Sequence, residues 1–119
     1  MSIRTQTLFQ EKQARFNGQG SEDFREVFLY ALNATLLDLS LRIVGMSYTA
    51  ADDIQTDLDL DAEYRNAISA GLDLYIQRHG QWAIDTKEDL DLAYIRERGI
   101  LKAQVEVDEE VRWGWGGEE

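Results

Sequence analysis

The chain has 119 residues, 44% of them hydrophobic and 10% aromatic, enough for one buried core but not for two. Its 23 acidic residues against 12 Lys and Arg leave a formal net charge of −11, which disfavours binding to phosphate backbones and to anionic membranes. Cysteine is absent, which excludes disulfide scaffolds and thiolate metal sites, and proline is absent, so helices can run without interruption.

No apolar run approaches the ~18 residues that span a bilayer. Met1-Ser2-Ile3-Arg4 is not the start of a signal peptide, so a soluble product made in the cytoplasm is expected. Charge is uneven along the chain. Residues 1–16 carry Arg4, Glu11, Lys12 and Arg15, a net positive arm. Residues 106–119 carry Glu106, Asp108, Glu109, Glu110, Glu118 and Glu119 against Arg112 alone. A chain basic at one end and acidic at the other can associate head-to-tail; the plainer reading is two solvated ends.

In chain order, residues 1–20 read as an N-terminal arm or a short helix. Leu8, Phe9 and Phe16 align at helical spacing, and their usual role is packing on the domain. Gly18-Gln19-Gly20 breaks the chain. Ser21-Glu22-Asp23 starts the first strong helix, with Ser21 as cap and two acids at the positive end of its dipole. Phe24, Val27, Phe28, Ala31, Leu32, Thr35, Leu36, Leu39 and Ile43 then recur at steps of three and four, the stripe of a buried helix face. Leu29, Leu37, Leu41 and Val44 widen that stripe beyond one face, so this helix either sits at the centre of the bundle or is covered by a neighbouring subunit. Gly45 is the expected stop.

A connection follows, with Tyr48 and Ile54 as anchors and one helical turn around residues 50–54. In Asp57-Leu58-Asp59-Leu60-Asp61, Asp59 or Asp61 is expected to cap the next helix while Leu58 and Leu60 pack its start. Tyr64, Ile68, Gly71, Leu72, Tyr75 and Ile76 form its inner face; Glu63, Arg65, Asn66, Asp73 and Gln77 are expected outside. Gly71 costs ~1 kcal/mol relative to Ala in mid-helix, which predicts close approach to another helix or a bulky ring. His79-Gly80 stops the helix. Asp85-Thr86-Lys87-Glu88 has capping-box spacing before a helix whose face is Leu90, Ala93, Tyr94 and Leu101, expected to end near Gly99. Residues 100–111 fit helix through Ile100, Ala103, Val107 and Val111, and strand through Leu101, Ala103, Val105 and Val107.

The chain is thus expected to be one all-α domain, a small bundle of three to four helices over residues 21–111, with extended N- and C-terminal arms. The C-terminal tail, residues 112–119, holds Trp113 and Trp115 among glycines. Burying two Trp side chains contributes roughly 8–12 kcal/mol. Ordering some seven residues costs ~1–2 kcal/mol each, so one tail binds poorly and many displayed together bind well. Alternatively, both rings fold back onto the domain.

Catalytic and metal patterns fail on inspection. A calcium loop starting at Asp57 needs Gly sixth and Glu twelfth, where Ala62 and Ile68 stand. Gly18-Gln19-Gly20 has neither a preceding strand nor a following Lys-Ser/Thr. His79 is the single histidine and suits a helix end. No enzyme, metal or cofactor is expected.

Phe24-Arg25-Glu26-Val27-Phe28, Ala31-Leu32-Asn33, Leu58-Asp59-Leu60-Asp61-Ala62-Glu63-Tyr64, Gly71-Leu72-Asp73-Leu74-Tyr75 and Gly80-Gln81-Trp82 together resemble the head–tail connector (neck adaptor) proteins of tailed bacteriophages. The likeness covers residues 24–82 and is a pattern of spaced hydrophobes. It implies a structural virion protein made in the host cytoplasm, in a homo-oligomeric ring of about a dozen copies between the portal and a downstream neck or tail protein. It also implies that a C-terminal arm reaches the portal.

On this reading Arg112, Trp113, Trp115, Arg4, Phe9, Leu29, Leu37 and Leu41 are the candidate partner-binding residues. Copies pack side by side through the broad helix at residues 24–44, and the termini meet the rings above and below. An acidic lumen would not grip passing DNA. The alternative is a small acidic binding protein, a DNA mimic or an inhibitor of a host enzyme, which requires carboxylates gathered on one face.

Overall fold

The computed structural model describes residues 3–16, 22–79 and 89–117, without the side chains of residues 22 and 107–117. It contains four α-helices: α1 (Thr5–Arg15), α2 (Glu22–Arg42), α3 (Arg65–Arg78) and α4 (Leu90–Gly117). A 3₁₀ turn, Ala62–Tyr64, leads into α3. Among the described residues the only extended pairing is an isolated bridge between Ile3 and Leu58, with both backbone hydrogen bonds at 2.9 Å. The all-α bundle expected from the hydrophobic periodicity is therefore observed.

Every residue of the α2 stripe, from Phe24 to Ile43 at helical steps, is buried. α2 packs on α3 and α3 on α4, with α1 across α2 and α3. α1 belongs to the bundle, so the short-helix reading of the N-terminus holds and the free-arm reading does not. Phe9 meets the edge of Phe28 at 5.2 Å between centroids and Phe24 at 5.8 Å, and Phe16 lies 6.5 Å from Phe24. The aromatic cluster this forms is part of the core.

Gly71 has the close neighbours its position predicts. A β-carbon there would stand 2.7 Å from Thr35 Oγ1, closer still to Thr35 Cγ2, and 3.0 Å from Tyr94 Cε1. Three helices meet at this point, so Gly71 sets the spacing of α2 against α3. Gly45 takes φ +80°, which ends α2 as expected, because a left-handed residue there stops the helix without a β-carbon penalty.

Asp73, expected on the solvent side, is buried in α3. Lys12 Nζ lies 2.9 Å from its Oδ1 and Arg15 Nη1 2.7 Å from its Oδ2, while Lys12 also donates to Ser69 Oγ at 2.8 Å. Two cations from α1 thus fasten it to α3. Charge that reads as a basic end is spent inside the fold.

The connection after α2 is held by Asn33, whose amide donates to Ala51 O and accepts from Ala51 N, both at 2.7 Å. One side chain thereby mimics a paired strand. Ile54 anchors the connection as expected, whereas Tyr48 is exposed. Residues 50–54 form no helix; Asp53 Oδ1 accepts from Gln55 N at 3.0 Å in a turn at Ile54 and Gln55. Asp61 occupies the position before the 3₁₀ turn but makes no side-chain cap, and Leu58 and Leu60 pack against the core as expected.

α4 passes through Gly99 unbroken, so residues 100–111 are helix and the expected stop is not one. A β-carbon at Gly99 would meet nothing within 4 Å, and a single glycine costs too little to interrupt a long helix. Asp89 starts α4, its Oδ1 accepting from Leu92 N at 3.1 Å. Its 28 residues span about 42 Å at ~1.5 Å each, and Leu101 is the last buried side chain among those described. Partly buried Val105, one turn further on, still packs against the core. His79 stands at the end of α3, as expected. The Gly18-Gln19-Gly20 break, the Ser21 cap, Gly80, Trp82 and the Asp85-Thr86-Lys87-Glu88 start lie outside the described residues.

Candidate interaction surface

α2 and the turn after it carry a second, exposed apolar stripe beside the buried one. Tyr30, Ala34, Leu37, Leu41 and Val44 follow at steps of four and three, the spacing of a seam that receives another helix. Exposure is 56% at Tyr30, 46% at Leu37, 77% at Leu41 and 54% at Val44, so no element of the described chain covers it. Covering a Leu fully contributes ~1.5–3 kcal/mol, which makes a contiguous stripe of this kind an interaction surface. α4 adds exposed Leu92, Ile95 and Ile100.

Leu41 and Ile95 face each other across an open groove of about 440 Å³, completed by Arg42, Arg98, Gly99 and Lys102. Its polar side is organised by Asp38. Tyr94 Oη donates to Asp38 Oδ2 at 2.6 Å, Arg98 Nη1 donates to the same oxygen at 3.0 Å, and Arg42 Nε donates to Oδ1 at 3.0 Å. The Arg98 guanidinium also lies 5.1 Å from the Tyr94 ring centre. Burial pushes the Asp38 carboxyl up, but the hydrogen bonds from Tyr94, Arg42 and Arg98 outweigh it and hold the group below the ordinary carboxylate range. Burial and the bond to Asp38 push the Tyr94 hydroxyl well above its ordinary value. Two guanidiniums share one carboxylate, and Lys102 lies beside them with Glu106 at 3.8 Å. In a chain of net charge −11 the groove is rimmed by three cations.

The candidate partner residues divide. Leu37 and Leu41 stand exposed on the α2 stripe, and Leu29 is partly buried against the core. Arg4 is exposed at the start of α1. Phe9 is buried in the aromatic cluster and presents no surface, which corrects its place among the partner-binding residues. Arg112, Trp113 and Trp115 belong to α4 by backbone, and their side chains lie outside those described.

Sequence reasoning missed Asp38, Arg42, Ile95, Arg98 and Lys102. Each of the pairs Asp38–Arg42 and Tyr94–Arg98 has visible helical spacing. Their convergence is made by α2 and α4 meeting in space.

Among the described residues no group of His, Asp or Glu is arranged to hold a metal ion. No helix among the described residues is long and apolar enough to cross a membrane. Comparison with protein-family models, with curated proteins and with solved structures finds no match.

Proposed function

We propose that this chain is a structural neck adaptor of a tailed phage, a homo-oligomeric ring component that joins a portal to the next neck or tail protein. The observation that carries the reading is the apolar stripe Tyr30, Leu37, Leu41 and Val44, left uncovered on the most hydrophobic helix. A second copy is the natural cover for a long helix face, since a ring presents identical surfaces to identical neighbours. The adaptor likeness of residues 24–82 and the 28-residue α4 support the same reading.

Native mass spectrometry of the full chain, alone and with portal rings expressed from the genome that carries it, tests this function. The expected result is a stoichiometric adaptor–portal assembly. A monomer that ignores portal rings and binds a basic host protein tightly overturns the reading in favour of an acidic inhibitor.

A further inference from the structure

We propose that the α2–α4 groove of one copy receives the C-terminal half of α4 from a second copy. This rests on the ring reading above and assigns its subunit contact.

The groove needs an occupant that is apolar along one line and acidic at its borders. Leu41 and Ile95 supply its apolar walls, and Arg42, Arg98 and Lys102 its cationic rim. The end of α4 has the complementary composition. Ile100 and Ala103 are exposed on α4. Val107, Val111 and Trp115 continue that series in the sequence at four-residue steps, with Glu106, Asp108 and Glu110 at helical spacing beside them. An amphipathic helix with carboxylates beside its apolar line suits a cation-rimmed apolar groove.

The continuity of α4 decides that the contact is made between copies. Its backbone is helical without a break from Leu90 to Gly117. Residues near 95–102 line the groove, so residues 107–117 of the same rod cannot turn back into it. On α1, Lys12 is buried against Asp73 and offers no charge to an acidic helix. The groove offers Arg42 and Lys102, both exposed, beside its apolar walls.

A tail-to-groove contact is heterologous: each copy gives a tail and receives one. Repeated, it closes a ring or extends a chain.

Sedimentation velocity of the full chain across a concentration series tests the contact. Arg42→Glu/Lys102→Glu reverses the rim and Asp108→Lys/Glu110→Lys reverses the tail. Each double variant alone is expected to self-associate roughly tenfold more weakly than the wild type. An equimolar mixture is expected to regain association, because each reversed surface then finds its complement. Leu41→Asp and deletion of residues 107–119 are expected to give monomers, with circular dichroism confirming that the core stays helical.

Association that survives the deletion overturns the inference and leaves the ring reading intact, since copies would then join by another face. Failure of the mixture to regain association also overturns it, as does a wild-type chain that stays monomeric throughout. Portal binding by the same variants, read separately by native mass spectrometry, shows whether the adaptor function fails with the contact or stands without it.

Discussion

Gly71 of α3 faces Thr35 of α2 so closely that a β-carbon at position 71 would stand 2.7 Å from the threonine oxygen. Thr35 is buried and donates its hydroxyl to Ala31 O at 2.8 Å, so it is held in place. Gly71→Ala gains ~1 kcal/mol of helix propensity but overpacks the contact at a cost of ~1–3 kcal/mol. The expected outcome is net destabilisation, read as a lower urea midpoint. Gly99→Ala is the control: nothing lies within 4 Å of its β-carbon, and stability should rise by up to ~1 kcal/mol.

Asp73 is the buried counter-charge of Lys12 and Arg15. Replacing it by Asn leaves the Lys12 ammonium in the interior without a carboxylate, a change that costs ~3–5 kcal/mol when a buried pair is broken. Asp73→Asn should therefore lower the thermal midpoint strongly. Lys12→Met in the same chain should recover part of the loss, because no unpaired charge then remains at that position.

The Asp38–Tyr94 pair sets opposite limits in pH. Asp38 has a folded pKa below its unfolded value, so its contribution is fully present above ~4 and is lost as pH falls through the folded value. Tyr94 has a folded pKa above its unfolded value, so its contribution is present below ~10 and is lost as pH rises toward the folded value. Thermal midpoints measured across pH should fall at both extremes. Tyr94→Phe should shallow the alkaline fall without removing it, because burial also raises Tyr64 and Tyr75.

Asn33 holds the connection between α2 and α3 through both hydrogen bonds to Ala51. Asn33→Ala removes donor and acceptor together and leaves part-buried backbone groups unpaired, at ~1–3 kcal/mol. Hydrogen exchange at the Ala51 amide should accelerate sharply while amides in the middle of α2 change little. Uniform acceleration across α2 would show that Asn33 supports the whole domain.

Much of this fold is legible along the chain. The buried face of α2, the left-handed stop at Gly45, the inner residues Ile68, Leu72 and Ile76 of α3, and the buried Leu90, Tyr94 and Leu101 of α4 all follow from apolar spacing. Such spacing is local: a helix that repeats hydrophobes every three or four residues buries that face wherever its partner lies. The close approach at Gly71 is legible as well, because a mid-helix glycine is unfavourable without a neighbour that needs the room.

Tertiary structure decided which charged groups turn inward and which apolar ones remain outside. Nothing local separates Asp73 from an exposed helical aspartate; two cations on α1 make its burial favourable. Phe9 and Leu41 are both apolar residues at helical spacing, yet one closes the aromatic core and the other faces solvent, because α1 lies across α2 on one side only. The sequence by itself determined helices, their inner faces and the acidity of the C-terminal end. The groove of Leu41, Ile95, Arg42, Arg98 and Lys102 exists only where α2 and α4 converge on Asp38, since residues about sixty apart in the chain must meet before their charges act together.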